Sequence, residues 1–164
     1  MDKKLKPEKL LRDPKGAKMK LLNAARWEFA EKGLNGARVD AIASRSGVNK
    51  QLLYYYFGDK ENLFVTVLET EYAKLREKEN QLELETLDPW QAIDRLVGFT
   101  FDYVTNNPQF VALLNDENIH QARHVKQSKT IKNLHPKLLD LLSQILKRGE
   151  MDGSFRENVD PVEF

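Results

Sequence analysis

The stretch Gly47-Val48-Asn49-Lys50-Gln51-Leu52-Leu53-Tyr54-Tyr55-Tyr56-Phe57 holds the most suggestive chemistry in this 164-residue chain. On a helix turning about 100° per residue, Lys50, Gln51, Tyr54 and Tyr55 share one arc of about 140°. Leu52, Leu53, Tyr56 and Phe57 fall opposite. The polar arc offers an ammonium, an amide and two phenols. Lys50 can neutralise a phosphate or donate to guanine O6 and N7, Gln51 can pair with adenine through two hydrogen bonds, and tyrosine hydroxyls bond phosphate. These are the means by which a helix reads duplex DNA. A solvated helix face carries similar residues, so the pattern gains weight only from its surroundings.

A second constellation is Asp116, His120 and His124, spaced four apart. Imidazole suits zinc or nickel, and a carboxylate would complete three ligands. On one straight helix, however, successive members diverge by about 40°, so no metal site is expected. The chain has no cysteine, which excludes disulfides and thiolate ligands and fits a reducing cytoplasm. No Ser–His–Asp pattern accompanies the histidines. The chain therefore reads as a non-enzyme without a cofactor.

The elements that must position the polar arc are helical. Apolar residues recur at spacings of three and four, and no strand pairs are evident. Leu21, Leu22, Ala25 and Phe29 form one stripe ending at Gly33. Leu63, Phe64, Val67, Leu68 and Leu75 form another on a long helix capped near Asp59. Trp90, Ile93, Val97, Phe101 and Val104 form a third, followed by Phe110, Leu113 and Leu114, then by Leu138, Leu141, Leu142 and Ile145. Five of the six prolines suit the first position of a helix, where the missing N–H does no harm. Asp13-Pro14, Asp88-Pro89, Asn107-Pro108 and Asp160-Pro161 follow a capping residue, and His135-Pro136 is the weaker fifth. Asp160-Pro161 reads as the start of a helix whose body lies past Phe164, so the chain is expected to be part of a longer protein.

Within this frame, residues 39–57 fit two short helices joined by a tight turn. Val39, Ile42 and Ala43 give the first an apolar edge, Gly47 takes a left-handed turn, and Asn49 caps the second. That is helix-turn-helix spacing. Charge supports it: residues 1–60 carry 14 Lys and Arg against 7 Asp and Glu, whereas residues 61–164 carry 12 against 18. A basic front half faces a polyanion, and an acidic back half does something else. No apolar run approaches the roughly 18–20 residues needed to cross a bilayer, so no membrane partner is expected.

The segments AARWEFAEKG and VDAIASRSGVNKQLLYYYFGDKENLF, within Leu21 to Phe64, resemble the DNA-binding domain of TetR-type transcriptional regulators. The resemblance implies an all-α chain. A flexible basic arm (1–13) and a three-helix DNA-binding domain (14–60) would precede a helical effector-binding and dimerisation domain (61–164), incomplete at its C-terminal end. It implies a homodimer on a palindromic operator, most simply a repressor, released when a small-molecule effector binds. An activator and an architectural DNA binder without a ligand remain as alternatives. By position, Asn49, Lys50, Gln51, Tyr54 and Tyr55 should face the major groove and its backbone. Lys60, Arg38 and Arg45 should meet phosphates. Two departures stand out. Arg38 replaces the usual threonine, and Leu52 takes the place of a small or polar base-reading residue, although the wheel buries it.

The effector is not named by the back half. One helix face, running Phe110, Leu113, Leu114, Glu117 and Gln121, turns from apolar to polar and could form the reading end of a pocket. The residues expected there are Phe101, Tyr103, Phe110, Leu114, Glu117, Asn118 and Gln121. The competing expectation is that Tyr103 belongs to the core and the polar groups meet solvent.

Overall fold

The computed structural model describes residues 14–162, without the side chains at 135–137. The basic arm and the cap expected at Asp13 lie outside the described residues. Among the described residues eight helices follow one another: α1 (Pro14–Gly36), α2 (Val39–Ser46), α3 (Lys50–Phe57), α4 (Lys60–Asn80), α5 (Pro89–Asn106), α6 (Pro108–Ile119), α7 (Arg123–Gln127) and α8 (Lys129–Met151), with a 3-10 turn at Leu84–Thr86. No strand occurs among the described residues.

Two apolar cores hold them. The first joins Leu21, Ala25 and Phe29 of α1 to Ile42 of α2, Leu53 and Phe57 of α3, and Leu63, Phe64, Val67 and Leu68 of α4. Leu113 of α6 and Ile131 of α8 enter the same core, so the first four helices do not close on themselves. Phe29 and Phe64 meet edge to face with centroids 5.1 Å apart. The second core gathers Leu84, Ala92, Leu96, Leu142 and Ile145 between α5 and α8. Across α1 and α4, buried Glu71 forms an ion pair with Arg26, whose Nε lies 2.9 Å away, and accepts from Lys74 Nζ at 2.7 Å. A buried carboxylate is tolerable only when paired in this way.

The caps at Asn49, Asp59 and Asp88 are made as the sequence suggests, each side chain accepting from a first-turn amide. Others differ. Asn107 does not cap α6; its Nδ2 donates 2.8 Å back to Tyr103 O, satisfying an end carbonyl of α5. Helix α8 does not start at Pro136. It begins at Lys129, capped by Ser128, whose Oγ accepts from Ile131 N at 3.1 Å, and its backbone continues through Pro136. The third stripe also differs: Trp90, Val97, Phe101 and Val104 are exposed, while Ala92, Leu96 and Tyr103 are buried. Helix α5 is apolar on two faces, both at helical spacing, so periodicity alone could not choose between them.

Candidate nucleic-acid interface and its link to the helical domain

The turn between α2 and α3 is fixed by local hydrogen bonds. Gly47 sits at φ 65°, ψ 17° and its N–H reaches Ser44 O. Ser46 Oγ donates to Ala43 O at 2.9 Å and accepts from Val48 N at 3.1 Å. Asn49 Oδ1 then accepts from Gln51 N at 2.8 Å, starting α3. At the far end Gly58 donates to Tyr54 O, and Asp59 caps α4 through Asn62 N at 2.7 Å. Both ends of α3 are therefore pinned.

Helix α3 buries Leu53, Phe57 and Leu52 and exposes Lys50, Gln51, Tyr54 and Tyr55. The division follows the wheel, including Leu52, which is only 8% exposed. Tyr56 is half-buried; its hydroxyl donates to Pro14 O at 3.3 Å, tying α3 to the start of α1. Lys50 Nζ pairs with Asp40 on α2 at 2.7 Å. That bond, with the Lys50 charge, holds the Asp40 carboxyl below its ordinary range and raises the Lys50 ammonium. Both groups are exposed, so the pair is a weak tether that a phosphate can displace.

The helix-turn-helix is bound to the rest of the chain through the α6–α7 corner. At Gly33, α1 breaks with φ 66° and ψ 174°. The next amide, Leu34 N–H, donates 2.9 Å to Asp116 Oδ2 of α6. Beside it, His120 Nε2 lies 3.3 Å from Asn35 Nδ2, and Arg123 reaches Glu61 at 3.2 Å. The chain then reverses through positive φ at Gln121 (58°) and Ala122 (55°). This brings α7 back onto Glu117. The Glu117 carboxylate, 2% exposed, accepts from His124 N at 2.8 Å, Val125 N at 3.0 Å and His124 Nδ1 at 2.6 Å. It thus caps the first amides of α7 from seven residues upstream. With Nδ1–H donating, His124 Nε2 is the acceptor for Arg123 Nε at 3.2 Å. The His124 ring stands edge-on to Phe64 of α4 at 5.2 Å.

Residues 21–67 match the family described as bacterial regulatory proteins, tetR family, and residues 89–164 match the tetracyclin repressor-like C-terminal domain. The chain belongs to the TetR family. It is 37% identical over 139 residues to the transcriptional repressor NicS of Pseudomonas putida, covering 85% of this chain and 66% of that one. It is 39% identical over 103 residues to the repressor SCO4008 of Streptomyces coelicolor, covering 63% of this chain and 50% of that one. The chain thus spans between half and two thirds of the length of these two relatives. The fold also matches FadR from Bacillus subtilis, solved with stearoyl-CoA, at TM-score 0.65 and 20% identity, over 88% of this chain and 77% of that one.

The remaining residues that the TetR resemblance assigns to DNA differ in readiness. Arg38 stands at the α2 cap position with its backbone amide on Glu28 Oε1 at 3.2 Å and its side chain exposed. Arg45 is exposed and loosely paired with Glu31 at 3.7 Å. Lys60 is half-buried, and its ammonium already donates to Ala37 O at 3.1 Å and Asn35 O at 3.3 Å. Those carbonyls follow the Gly33 break, so Lys60 secures the α1–α2 corner.

The residues expected to line an effector pocket separate into two groups. Phe101, Tyr103 and Phe110 line a groove of about 540 Å³ between α4, α5, α6 and α8, with Leu75, Leu96 and Leu142 among its other walls. Glu117 is turned instead into the α7 cap. Leu114 is half-buried outside this groove, and Asn118 and Gln121 are exposed. None of Glu117, Asn118 and Gln121 lines this groove; Gln121 stands instead beside His120 and Arg123 in a separate surface hollow. The Asp116, His120 and His124 set is likewise dispersed: Asp116 serves the Leu34 amide, His120 Nδ1 lies 2.7 Å from Asp116 O, and His124 serves Glu117. Among the described residues no cluster of three or more His, Asp or Glu is arranged to hold a metal, and no helix is long and apolar enough to cross a membrane.

Proposed function

We propose that this chain forms the DNA-binding and effector-sensing part of a transcriptional repressor, acting as a homodimer on a palindromic operator. The observation that carries the reading is the outward face of α3. Lys50, Gln51, Tyr54 and Tyr55 are presented together on a helix whose opposite side is locked by Leu52, Leu53 and Phe57. Gln51 reads a base, Lys50 meets a base or phosphate, and Tyr54 and Tyr55 anchor the backbone. Arg38 and Arg45 add phosphate contacts, with Asn49 at the helix entrance.

Release follows from the geometry of the α6–α7 corner. An effector in the groove presses on Phe110, near the start of α6. The far end of the same helix holds the Leu34 amide and, through Glu117 and His124, the ring of Phe64. A shift of α6 therefore re-aims α1 and α4, and with them the two recognition helices of a dimer. The effector needs only to favour one of the two arrangements.

Operator binding by the full-length protein, followed by fluorescence anisotropy as salt rises, tests the DNA reading. Arg38, Arg45 and Lys50 from two protomers make about six phosphate contacts, so affinity should fall about a thousandfold between roughly 50 and 200 mM salt. A flat response refutes it.

A further inference from the structure

The groove between α4, α5, α6 and α8 is apolar except at one end. Leu75, Leu96, Val97, Phe101, Val104 and Leu142 are among its walls, and Thr100 turns its hydroxyl back to Leu96 O at 2.8 Å. At the polar end stand Arg76 and Glu79 of α4, both buried. Arg76 Nη1 donates to Glu79 Oε2. Arg76 Nε is buried and has no hydrogen-bond partner among the described residues. A buried guanidinium N–H without an acceptor is costly, and such a donor in a concave apolar site is completed by a ligand oxygen.

We infer that this groove takes an apolar monocarboxylic acid, its carboxylate seated on the Arg76 guanidinium and its hydrocarbon body lying along Val97, Phe101 and Val104. Three observations select that class. The unfilled atom is a donor, so the ligand head is an acceptor. Arg76 has five N–H donors in a planar fork, and Glu79 engages it through Nη1, leaving capacity for a second carboxylate. Glu79 already offsets the one positive charge, so a monoanion is taken only as Glu79 yields Arg76 to it, and a phosphate dianion would leave a second negative charge without a partner. Burial raises the Glu79 carboxyl, against the opposing pull of Arg76, which eases the transfer of Arg76 to an incoming acid. The body of the ligand is specified by exposure: Val97 and Phe101 are 57% and 69% exposed, and an apolar chain laid over them removes both from water. The volume of about 540 Å³ lies within the range of small-ligand sites.

This assignment rests on the reading of the chain as an effector-released regulator, and the test separates the two. Octanoate and octanamide have the same chain and differ in head charge; their affinities for the full-length protein are compared by calorimetry. Octanoate should bind about tenfold more tightly. Arg76→Met alone would strand a buried Glu79, so the informative variant is Arg76→Met with Glu79→Met, which replaces the pair by apolar side chains. There the preference for octanoate should vanish while octanamide still binds. Equal affinities in the unaltered protein, or a preference that survives in the double variant, overturn the assignment. Octanoate that binds with this preference yet leaves operator binding unchanged supports the acid site and refutes its role as effector site. Release by a neutral amphiphile with no octanoate preference does the reverse.

Discussion

Gly33→Ala tests the joint between the DNA-binding helices and the rest of the chain. Gly33 has φ 66° and ψ 174°, a region open to almost no other residue, and forcing alanine into it costs about 1–3 kcal/mol. A Cβ built there would also lie 2.5 Å from Asp116 Oδ1. The Asp116 side chain can swing away, but only by giving up the 2.9 Å bond from Leu34 N, a charge-assisted bond contributing about 1.5–3 kcal/mol. The total, about 2.5–6 kcal/mol, is a large fraction of the ~5–15 kcal/mol that holds a domain folded. Urea unfolding followed by circular dichroism should show a midpoint lower by roughly 1–3 M, taking m as ~2 kcal/mol per M. The same substitution in an Asp116→Ala background separates the two causes. Without the carboxylate there is neither clash nor bond to lose, and only the backbone cost of about 1–3 kcal/mol remains. If Gly33→Ala costs the same in both backgrounds, within ~0.5 kcal/mol, Asp116 does not pack on Gly33 and the joint described above is wrong.

Gln51→Ala should relax the preference at one base pair and cost about 1–3 kcal/mol on the cognate operator, measured against a panel of single-base variants; an unaltered preference would remove Gln51 from base reading. Asp40→Asn should strengthen binding to random duplex at low salt, because Lys50 loses its competing carboxylate, and the gain should fade as salt rises. Weaker binding at every salt would instead mean that Asp40 holds Lys50 in its working position. Because Lys50 depresses the Asp40 carboxyl, the pair is intact above that lowered value and is lost only as pH falls through it. Operator affinity should therefore show no step from this pair between about pH 5 and pH 8, and a step that vanishes in Asp40→Asn would contradict the shift.

Much of the helix-turn-helix half was legible because its determinants are local. Asn49, Gly47 and Asp59 act within three residues of themselves, and α3 is short enough for one wheel to sort its two faces. Leu52 shows how far this goes: the pattern of the family favoured a base-reading side chain, the wheel favoured burial, and the helix buries it. Lys60 marks the limit. Its charge and position suggest phosphate, but its contacts to the carbonyls of Asn35 and Ala37, at the end of α1, come from more than twenty residues away and leave no mark in the local pattern.

The C-terminal half was less legible because its decisive contacts are long-range. Ser128 could be seen as a cap only by knowing that the chain reverses before it. That reversal depends on Glu117, which draws the amides of His124 and Val125 onto one buried carboxylate and holds Gln121 and Ala122 at positive φ. A straight-helix reading placed Glu117 at the reading end of a pocket and spaced the histidines four apart; the reversal joins Glu117 to His124 and sets the His124 ring against Phe64. Glu117 and His124 thus fasten α6 to α4. This also explains why the polar end of the groove must be sought elsewhere. With Glu117 engaged by three donors, a buried donor without a partner on a groove-lining residue is the Nε of Arg76, on a helix whose first turns pack beneath α3.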